Sequence, residues 1–531
     1  MYVEVAVAVP SEKTFTYAVP ENFAGDIALG KRVLVPFGRK RLTGYIVGIL
    51  GQAEREGLKE ILEVLDETSL FKEDDYEFYR WAAAYYMYPL GKALEEILPG
   101  GINIDSGRWV CLVGDGGADG LTERERTILD ILRKNPGGLS VASLQREADS
   151  RQLLRSLNRL QQKGMIRIEE RMARPAVTAR REKFVSMAPG WCNGRLSEKA
   201  GAVVQYLSEA GETTFSELRR RFGVTADTVR RLGEKGAVVV TEREVYRKAS
   251  AGPTIAKMDA VTLNSAQEGA AKEILKGLLS GKFSPFLLHG VTGSGKTEVY
   301  FRALAEALDL GGSVIYLVPE IALTPQLLSR LRDRFKEHEM AVLHSGVPAA
   351  VRYDQWRMVA RGDIRLVVGA RSALFAPVRD LRLIIVDEEH DNSYKQDERM
   401  PYNARDLAVV RARQRGATVI LGSATPSIQS YSNALRGKYR HLVLTDRPKG
   451  LGLPEVEVLD LRREREEKGK TPLLSRPLVE AIGETLETGK QTLLFLNRRG
   501  FHTFLFCADC GYVLKCLNCS VSLTFHAASG I

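Results

Sequence analysis

The sequence predicts a multidomain α/β chain, and three observations carry that reading. Short β-branched runs broken by Gly and Pro fill residues 1–110. Two related helical blocks occupy 121–250. From about residue 255, apolar strand-like runs alternate with helical stretches, the pattern of a parallel sheet covered on both faces. A length of 531 residues suits about three or four domains. Hydrophobic content of 44% and charged content of 27% are those of soluble globular protein. No apolar run reaches about 18 residues, so no membrane span is expected. The N-terminus lacks a basic n-region and reads as a strand, not a signal peptide, which points to the cytoplasm. The formal charge of +10, from 76 Lys+Arg against 66 Asp+Glu, suits a polyanionic partner but equally suits a merely soluble basic protein.

Taken in order, the first domain opens on the alternation Val3, Val5, Val7. Strand-like runs follow at 15–20, 30–40 and 44–49, predicting a small β-barrel or sheet. A helical stretch surrounds residues 79–86, and a Gly/Asp-rich linker at 114–120 closes the domain. Each of the next two blocks carries an amphipathic helix, a short helix around Leu144 or Leu218, and a third helix rich in Arg and Leu. The third helices are 151–160 and 225–232, and each block then turns on Lys-Gly into a β-rich tail. That is the winged-helix layout, met twice. Such modules often bind DNA, and others serve as protein contacts or spacers.

The region 255–445 holds the most informative string, Gly290-Val291-Thr292-Gly293-Ser294-Gly295-Lys296-Thr297, which fits G-x-x-x-x-G-K-[ST] at every fixed position. An apolar run at 286–289 leads into it as a strand should, and 298–304 leaves it as a helix should. Gly290, Gly293 and Gly295 let backbone N–H groups approach phosphates, and the helix N-terminus adds its dipole. Lys296 is expected to reach the β/γ-phosphates and Thr297 to ligate magnesium. Downstream, the buried run 383–386 ends in Asp387-Glu388-Glu389-His390. An acidic pair after such a strand suits a magnesium-holding Asp387 and a water-polarising Glu388. Another strand, 419–422, ends in Ser423-Ala424-Thr425-Pro426. Region 446–531 carries four crowded cysteines, Cys507, Cys510, Cys516 and Cys519, at a spacing that in a cytosolic chain means metal rather than disulfide. Cys111 and Cys192 stand alone and read as ordinary half-buried thiols.

GVTGSGKTEVY, DEEH and GSATPS, in that order, resemble motifs I, II and III of superfamily-two helicases. The match tightens to the PriA family of replication-restart helicases. Leu263-Asn264-Ser265-Ala266-Gln267 resembles its adenine-reading Gln motif. LVPEIALTPQ from 317, LHSG from 343, VGARSALFAP from 368 and Asn497-Arg498-Arg499-Gly500 resemble further family strings, and the Phe15-x-Tyr17…VPFG pattern resembles its 3′-end DNA-binding domain. The resemblance implies a 3′-end DNA-binding domain at 1–110, a RecA-like lobe at 255–445, and an incomplete second lobe with a zinc-binding insertion at 446–531. It implies an ATP-dependent 3′→5′ DNA helicase that binds stalled forks and initiates primosome assembly, with ATP, Mg2+ and Zn2+ as cofactors. Gln267 and His390 join the P-loop and Asp387 in holding nucleotide. Phe15, Tyr17, Thr324, Arg371, Tyr394, Lys395 and Tyr402 are implied DNA contacts, with Ser345 as a weaker one. The tyrosines and Lys395 belong to a segment resembling the family's aromatic-rich loop, suited to stacking and charge contacts with single-stranded bases. Forked and single-stranded DNA, primosome proteins, single-stranded-DNA-binding protein and the replicative helicase loader are the implied partners.

Three departures stand out. Thr16 occupies a position where the family commonly has an acidic residue associated with reading a free 3′ end. Four cysteines stand where the family carries eight in two zinc sites, so the four are expected to share one tetrahedral site. The sequence stops before the motifs of the second lobe that carry an arginine finger. The chain therefore reads as an N-terminal portion of a longer protein, expected to bind ATP and fork DNA but hydrolyse poorly. Rival readings are a fork-DNA-binding scaffold that needs no ATPase, a tandem winged-helix regulator, and another superfamily-two translocase.

Overall fold

The computed structural model describes residues 1–52, 57–104, 106–113, 121–148, 153–172, 175, 177–191, 196–247, 262–319, 324–445, 455–460 and 474–495. The linker at 114–120, the Glu320–Leu323 part of the LVPEIALTPQ string, Cys192, Asn497-Arg498-Arg499-Gly500 and the four crowded cysteines lie outside the described residues. The chain divides into two units, Met1–Gly450 and Leu451–Ile531.

At the N-terminus, five antiparallel strands form one sheet in the order Phe15–Ala18, Tyr2–Val7, Lys40–Leu50, Arg32–Phe37 and Glu63–Val64. The period of two in Val3, Val5 and Val7 sends those side chains into one core with Val33, Val35, Ile46 and Ile61. The other face, with Ala6, Tyr45 and Val47, lies under helices Glu73–Tyr85 and Leu90–Ile97. Gly91 permits that approach, because a β-carbon there would sit 1.9 Å from the Val7 carbonyl oxygen.

Two modules of identical topology follow. In the first, strand Ser106–Leu112 is flanked by Leu139–Ser140 and Ile166–Met172, around helices Glu123–Lys134, Val141–Ala148 and Leu153–Gln162. In the second, strand Arg181–Met187 is flanked by Glu212–Thr214 and Val238–Glu244, around helices Glu198–Ala210, Phe215–Phe222 and Ala226–Glu234. The third helix of the first module buries Leu153, Leu157 and Leu160, a stripe at four- and three-residue spacing. Strand Ser106–Leu112 crosses the expected boundary at 110, because its ladder partner is Ile166–Met172.

The remainder of the first unit is a seven-stranded parallel sheet ordered Met340–Leu343, Leu366–Gly369, Ser313–Leu317, Leu381–Val386, Thr418–Ser423, Ser284–Gly290 and Arg440–Leu444. Its strands read as near-continuous apolar runs because both faces are covered. Strand order sets the strand before the glycine-rich loop and the strand before Asp387 on either side of Thr418–Ser423, so both loops leave one sheet edge.

A buried seam joins this sheet to the N-terminal helices. Phe78 and Tyr79 pack on Phe375 at 5.7 and 6.1 Å between ring centroids, and the Tyr79 hydroxyl donates to the Phe375 carbonyl at 2.5 Å. The Trp356 indole donates to the Leu70 carbonyl at 2.8 Å. Arg411 is fully buried and donates to Asp75.

In the second unit, helix Arg476–Glu487 is capped by Ser475, which accepts from the Leu478 N–H. The apolar run at 492–495 forms no strand. Leu493 and Phe495 are 95% and 87% exposed, and a strand without a ladder partner has nothing to pair its backbone. Among the described residues, no helix is long and apolar enough to cross a membrane.

Candidate functional site

The glycine-rich loop joins strand Ser284–Gly290 to helix Lys296–Asp309. Gly293 and Gly295 both sit at φ +80°, the left-handed region that β-carbons disfavour. Lys296 is buried, and its Nζ donates to the Gly290 carbonyl at 2.8 Å, so the ammonium folds back over the loop. Thr297 opens the same helix in its first turn. Gln267 lies against this loop. It forms a reciprocal capping box with Asn264, and its side-chain Nε2 donates to the Ser294 carbonyl at 2.8 Å. The structure therefore ties Gln267 to the loop backbone through its Nε2 and to the start of its own helix through its Oε1.

Asp387 follows strand Leu381–Val386. Its Oδ1 accepts from the Tyr300 hydroxyl at 3.1 Å and from the Glu388 N–H at 3.0 Å, and its Oδ2 from the Tyr316 hydroxyl at 3.4 Å. Burial, and then the neighbouring Glu388 charge, push its carboxyl up to about 6. Glu388 adopts φ +46°, a conformation costing about 1–3 kcal/mol for a non-glycine residue, and strain of that kind collects at functional sites. His390 Nδ1 meets Ser423 Oγ at 2.7 Å and lies 3.6 Å from Glu388 Oε2. Ser423 Oγ also accepts from the Thr425 N–H at 2.9 Å, so the DEEH and GSATPS strings are in direct contact.

Glu389 is a residue that motif reading passed over. Fully buried, it accepts from the Ser427 N–H at 2.6 Å, from the Ser427 and Ser430 hydroxyls at 3.0 and 2.8 Å, and from Arg405 at 3.3 Å. It thereby anchors the start of helix Ile428–Leu435. The available signal was the Ser427-x-x-Ser430 spacing at a helix start.

The expected DNA contacts divide. Arg371 donates to the Ser393 and Lys395 carbonyls at 3.1 and 2.8 Å. It lines a cleft of about 340 Å³ with Ser345, Arg352, Arg399, Tyr402 and Glu96. Lys395 is exposed and pairs with Asp397 at 3.0 Å. Tyr394 and Tyr402 depart from the expectation of base stacking. Tyr394 is 1% exposed, and its hydroxyl donates to the Asp387 and Leu317 carbonyls at 2.6 and 3.1 Å. Tyr402 is 9% exposed and packs edge-on to Phe375 at 5.1 Å. Apolar walls are close enough to take both rings inside, and neither presents an open face to a base. Thr324 caps helix Pro325–Arg334, accepting from the Leu327 N–H at 3.3 Å. In the N-terminal sheet, Phe15 stands edge-on to Phe37 at 5.1 Å, and Tyr17 donates to the Pro36 carbonyl at 3.4 Å. Both line a hollow of about 880 Å³ with Lys13, Lys59 and Glu4. Cys507, Cys510, Cys516 and Cys519 are outside the described residues, and among the described residues no cluster could hold a metal through His, Cys, Asp and Glu alone.

Residues 4–99 match the PriA family described as 3′DNA-binding domain (3′BD), and 264–434 match the DEAD/DEAH box helicase family. Replication restart protein PriA of Bacillus subtilis (strain 168) is 34% identical over 99% of this chain and 66% of its own length. The Synechocystis protein of the same name is 36% identical over 98% of this chain and 63% of its own length. The chain thus spans just under two thirds of these relatives. Among solved structures, RecG bound to a three-way DNA junction resembles 35% of this chain and 24% of its own, at 24% identity and a TM-score of 0.28. With a match to the 3′DNA-binding domain, a match to the DEAD/DEAH box helicase family, and 34–36% identity to these two PriA proteins along nearly all its length, the chain belongs to the PriA family of replication restart proteins.

Proposed function

We propose that the chain supplies the DNA-binding and ATP-binding parts of an ATP-dependent 3′→5′ DNA helicase of replication restart, which engages stalled forks and initiates primosome assembly. One observation carries the reading. The lobe that brings Lys296, Asp387 and Glu388 to one sheet edge is joined through a buried seam to the matched DNA-binding domain. The donor set of a threonine hydroxyl and a buried carboxylate suits magnesium, a hard cation that takes oxygen ligands. Asp387 also makes no ion pair among the described residues, which leaves its charge for a cation. Magnesium, when bound, offsets charge on the phosphoryl oxygens. With nucleotide and cation bound, Lys296 would exchange the Gly290 carbonyl for phosphate oxygens, Thr297 and Asp387 would hold the cation, and Glu388 would orient the attacking water. His390, through Ser423, ties that acidic turn to the segment carrying Thr425.

In this reading the N-terminal hollow holds a strand end, with Phe15 and Tyr17 in its wall. The paired modules are winged helices that grip duplex arms, and their shared topology supports that role. Arg371, Thr324 and Lys395 contact single-stranded DNA, and the four cysteines bind zinc in the second lobe. Primosome proteins, single-stranded-DNA-binding protein and the helicase loader are the proposed protein partners, in the cytoplasm. The test is a pair of titrations on the wild-type chain and Lys296→Ala. The variant is expected to lose magnesium-dependent binding of fluorescent ATP and any DNA-stimulated hydrolysis, and to keep wild-type affinity for forked DNA. Equal nucleotide binding by the two proteins, or absence of fork binding by the folded wild type, would refute the reading.

A further inference from the structure

Asp387 is held by two tyrosines to which neither motif reading nor the reaction assigns a part. Tyr300 and Tyr316 are both fully buried. Tyr300 lies four residues beyond Lys296 in the same helix, so one helix face delivers the phosphate-seeking ammonium and, a turn later, a phenol to the acidic strand. Its hydroxyl donates to Asp387 Oδ1 at 3.1 Å, and Tyr316, from strand Ser313–Leu317, donates to Oδ2 at 3.4 Å. The Glu388 N–H completes the set at 3.0 Å. The two phenol rings meet edge-on at 6.0 Å, which steadies both.

Phenylalanine would fill these interior positions without burying a hydroxyl, and a buried hydroxyl costs free energy unless it is paired. The hydroxyls therefore point to a polar task, and Asp387 is the group they serve. A carboxylate offers about four acceptor sites, and the three donors here leave about one for the water shell of a cation. A second observation is independent of these bonds. A β-carbon on Gly422 would lie 1.6 Å from the Tyr300 hydroxyl oxygen, so the glycine of the GSATPS string leaves room for that hydroxyl. Gly422 in turn accepts the Glu389 N–H at 3.0 Å, next to the Ser423 that holds His390.

We propose that Tyr300, supported by Tyr316, is a positioning residue that fixes the Asp387 carboxylate for magnesium, and that Gly422 is required because Tyr300 occupies the space a side chain would take. The proposal rests on the reading of this site as a magnesium–nucleotide site. The experiment measures binding of a fluorescent ATP analogue to the full 531-residue chain as magnesium is titrated. Groups that orient a metal ligand typically contribute about 10–100-fold to metal affinity. Tyr300→Phe is expected to raise the magnesium concentration at half-saturation about ten-fold, with unchanged nucleotide binding in chelator and an unchanged circular dichroism spectrum. Tyr316→Phe, which removes the longer bond, is expected to shift it less. Gly422→Ala is expected to reproduce the Tyr300→Phe shift, and the double variant to be no worse than either single one, as for residues acting through one contact. A folded Tyr300→Phe with wild-type magnesium dependence overturns the proposal. If Tyr300→Phe does not fold, an unshifted Gly422→Ala overturns it. Absence of magnesium-dependent binding in the wild type would instead defeat the underlying site reading, and the two failures are told apart by that control.

Discussion

Arg411→Met is expected to cost about 3–4 kcal/mol of stability, toward the lower end of the range for breaking a buried ion pair. The guanidinium is fully buried in helix Ala404–Gln414. It donates to Asp75 Oδ1 at 3.1 Å, to the Ala376 carbonyl at 2.8 Å and to the Leu374 carbonyl, and it lies 5.2 Å from the centre of the Phe78 ring. Methionine refills most of the volume, so the loss is polar. Two interior carbonyls lose a donor, at about 1–3 kcal/mol for each group left unsatisfied. Asp75 loses one of its two cations but keeps Arg415 at 3.1 Å and the Lys72 N–H at 3.3 Å, which limits the cost. Pairing Arg411→Met with Asp75→Asn should recover about 1–3 kcal/mol relative to the sum of the single changes, because the two groups share one network. Urea unfolding of the four proteins, followed by tryptophan fluorescence, checks this, since the Trp356 indole bonds across the same seam. A loss under about 1 kcal/mol, well below the buried-pair range, or strict additivity, would refute the view that this pair holds the DNA-binding domain to the lobe.

Two further outcomes follow from the acidic segment. Asp387 has its folded pKa raised from 3.8 to about 6, so the fold favours its protonated form. That contribution is full below 3.8 and lost as pH rises through about 6, which leaves the ionised acid costing up to about 3 kcal/mol in the nucleotide-free chain. Asp387→Asn should therefore stabilise the nucleotide-free protein at pH 8 and do so less at pH 5, and equal urea midpoints for variant and wild type at pH 8 would contradict the burial argument. Glu389→Gln keeps the shape but removes the charge and turns one of the two carboxylate oxygens into an NH2 donor, which then faces either the Ser427 N–H or Arg405. It should cost about 2–3 kcal/mol, in the range for hydrogen bonds to a buried charge, and a thermal midpoint equal to that of the wild type would count against it.

What the sequence disclosed and what it withheld divide by distance along the chain. The glycine-rich loop, the acidic turn and the Gln267 box are short strings whose chemistry depends on neighbours a few residues away, so Lys296, Asp387 and Gln267 are legible before any fold is known. Val3, Val5 and Val7 reveal their sheet in the same local way. Strand Ser106–Leu112 does not, because its ladder partner begins at Ile166 across three helices. Tyr394 shows the cost of reading type without surroundings. An aromatic residue beside lysine on a loop suggests a stacking platform, yet this hydroxyl reaches back to Leu317, 77 residues earlier, and the ring goes inside with it. Arg411 and Asp75 are 336 residues apart, and nothing within a helical turn of either one marks it as buried. The same distance separates Tyr300 from Asp387 in kind if not in length. The spacing of 87 residues carries no signal, and only the packing of helix Lys296–Asp309 on the sheet makes its phenol part of the acid's surroundings. Motif strings therefore identify the groups that meet the ligand, while the groups that aim them are settled by packing and become visible only in the fold.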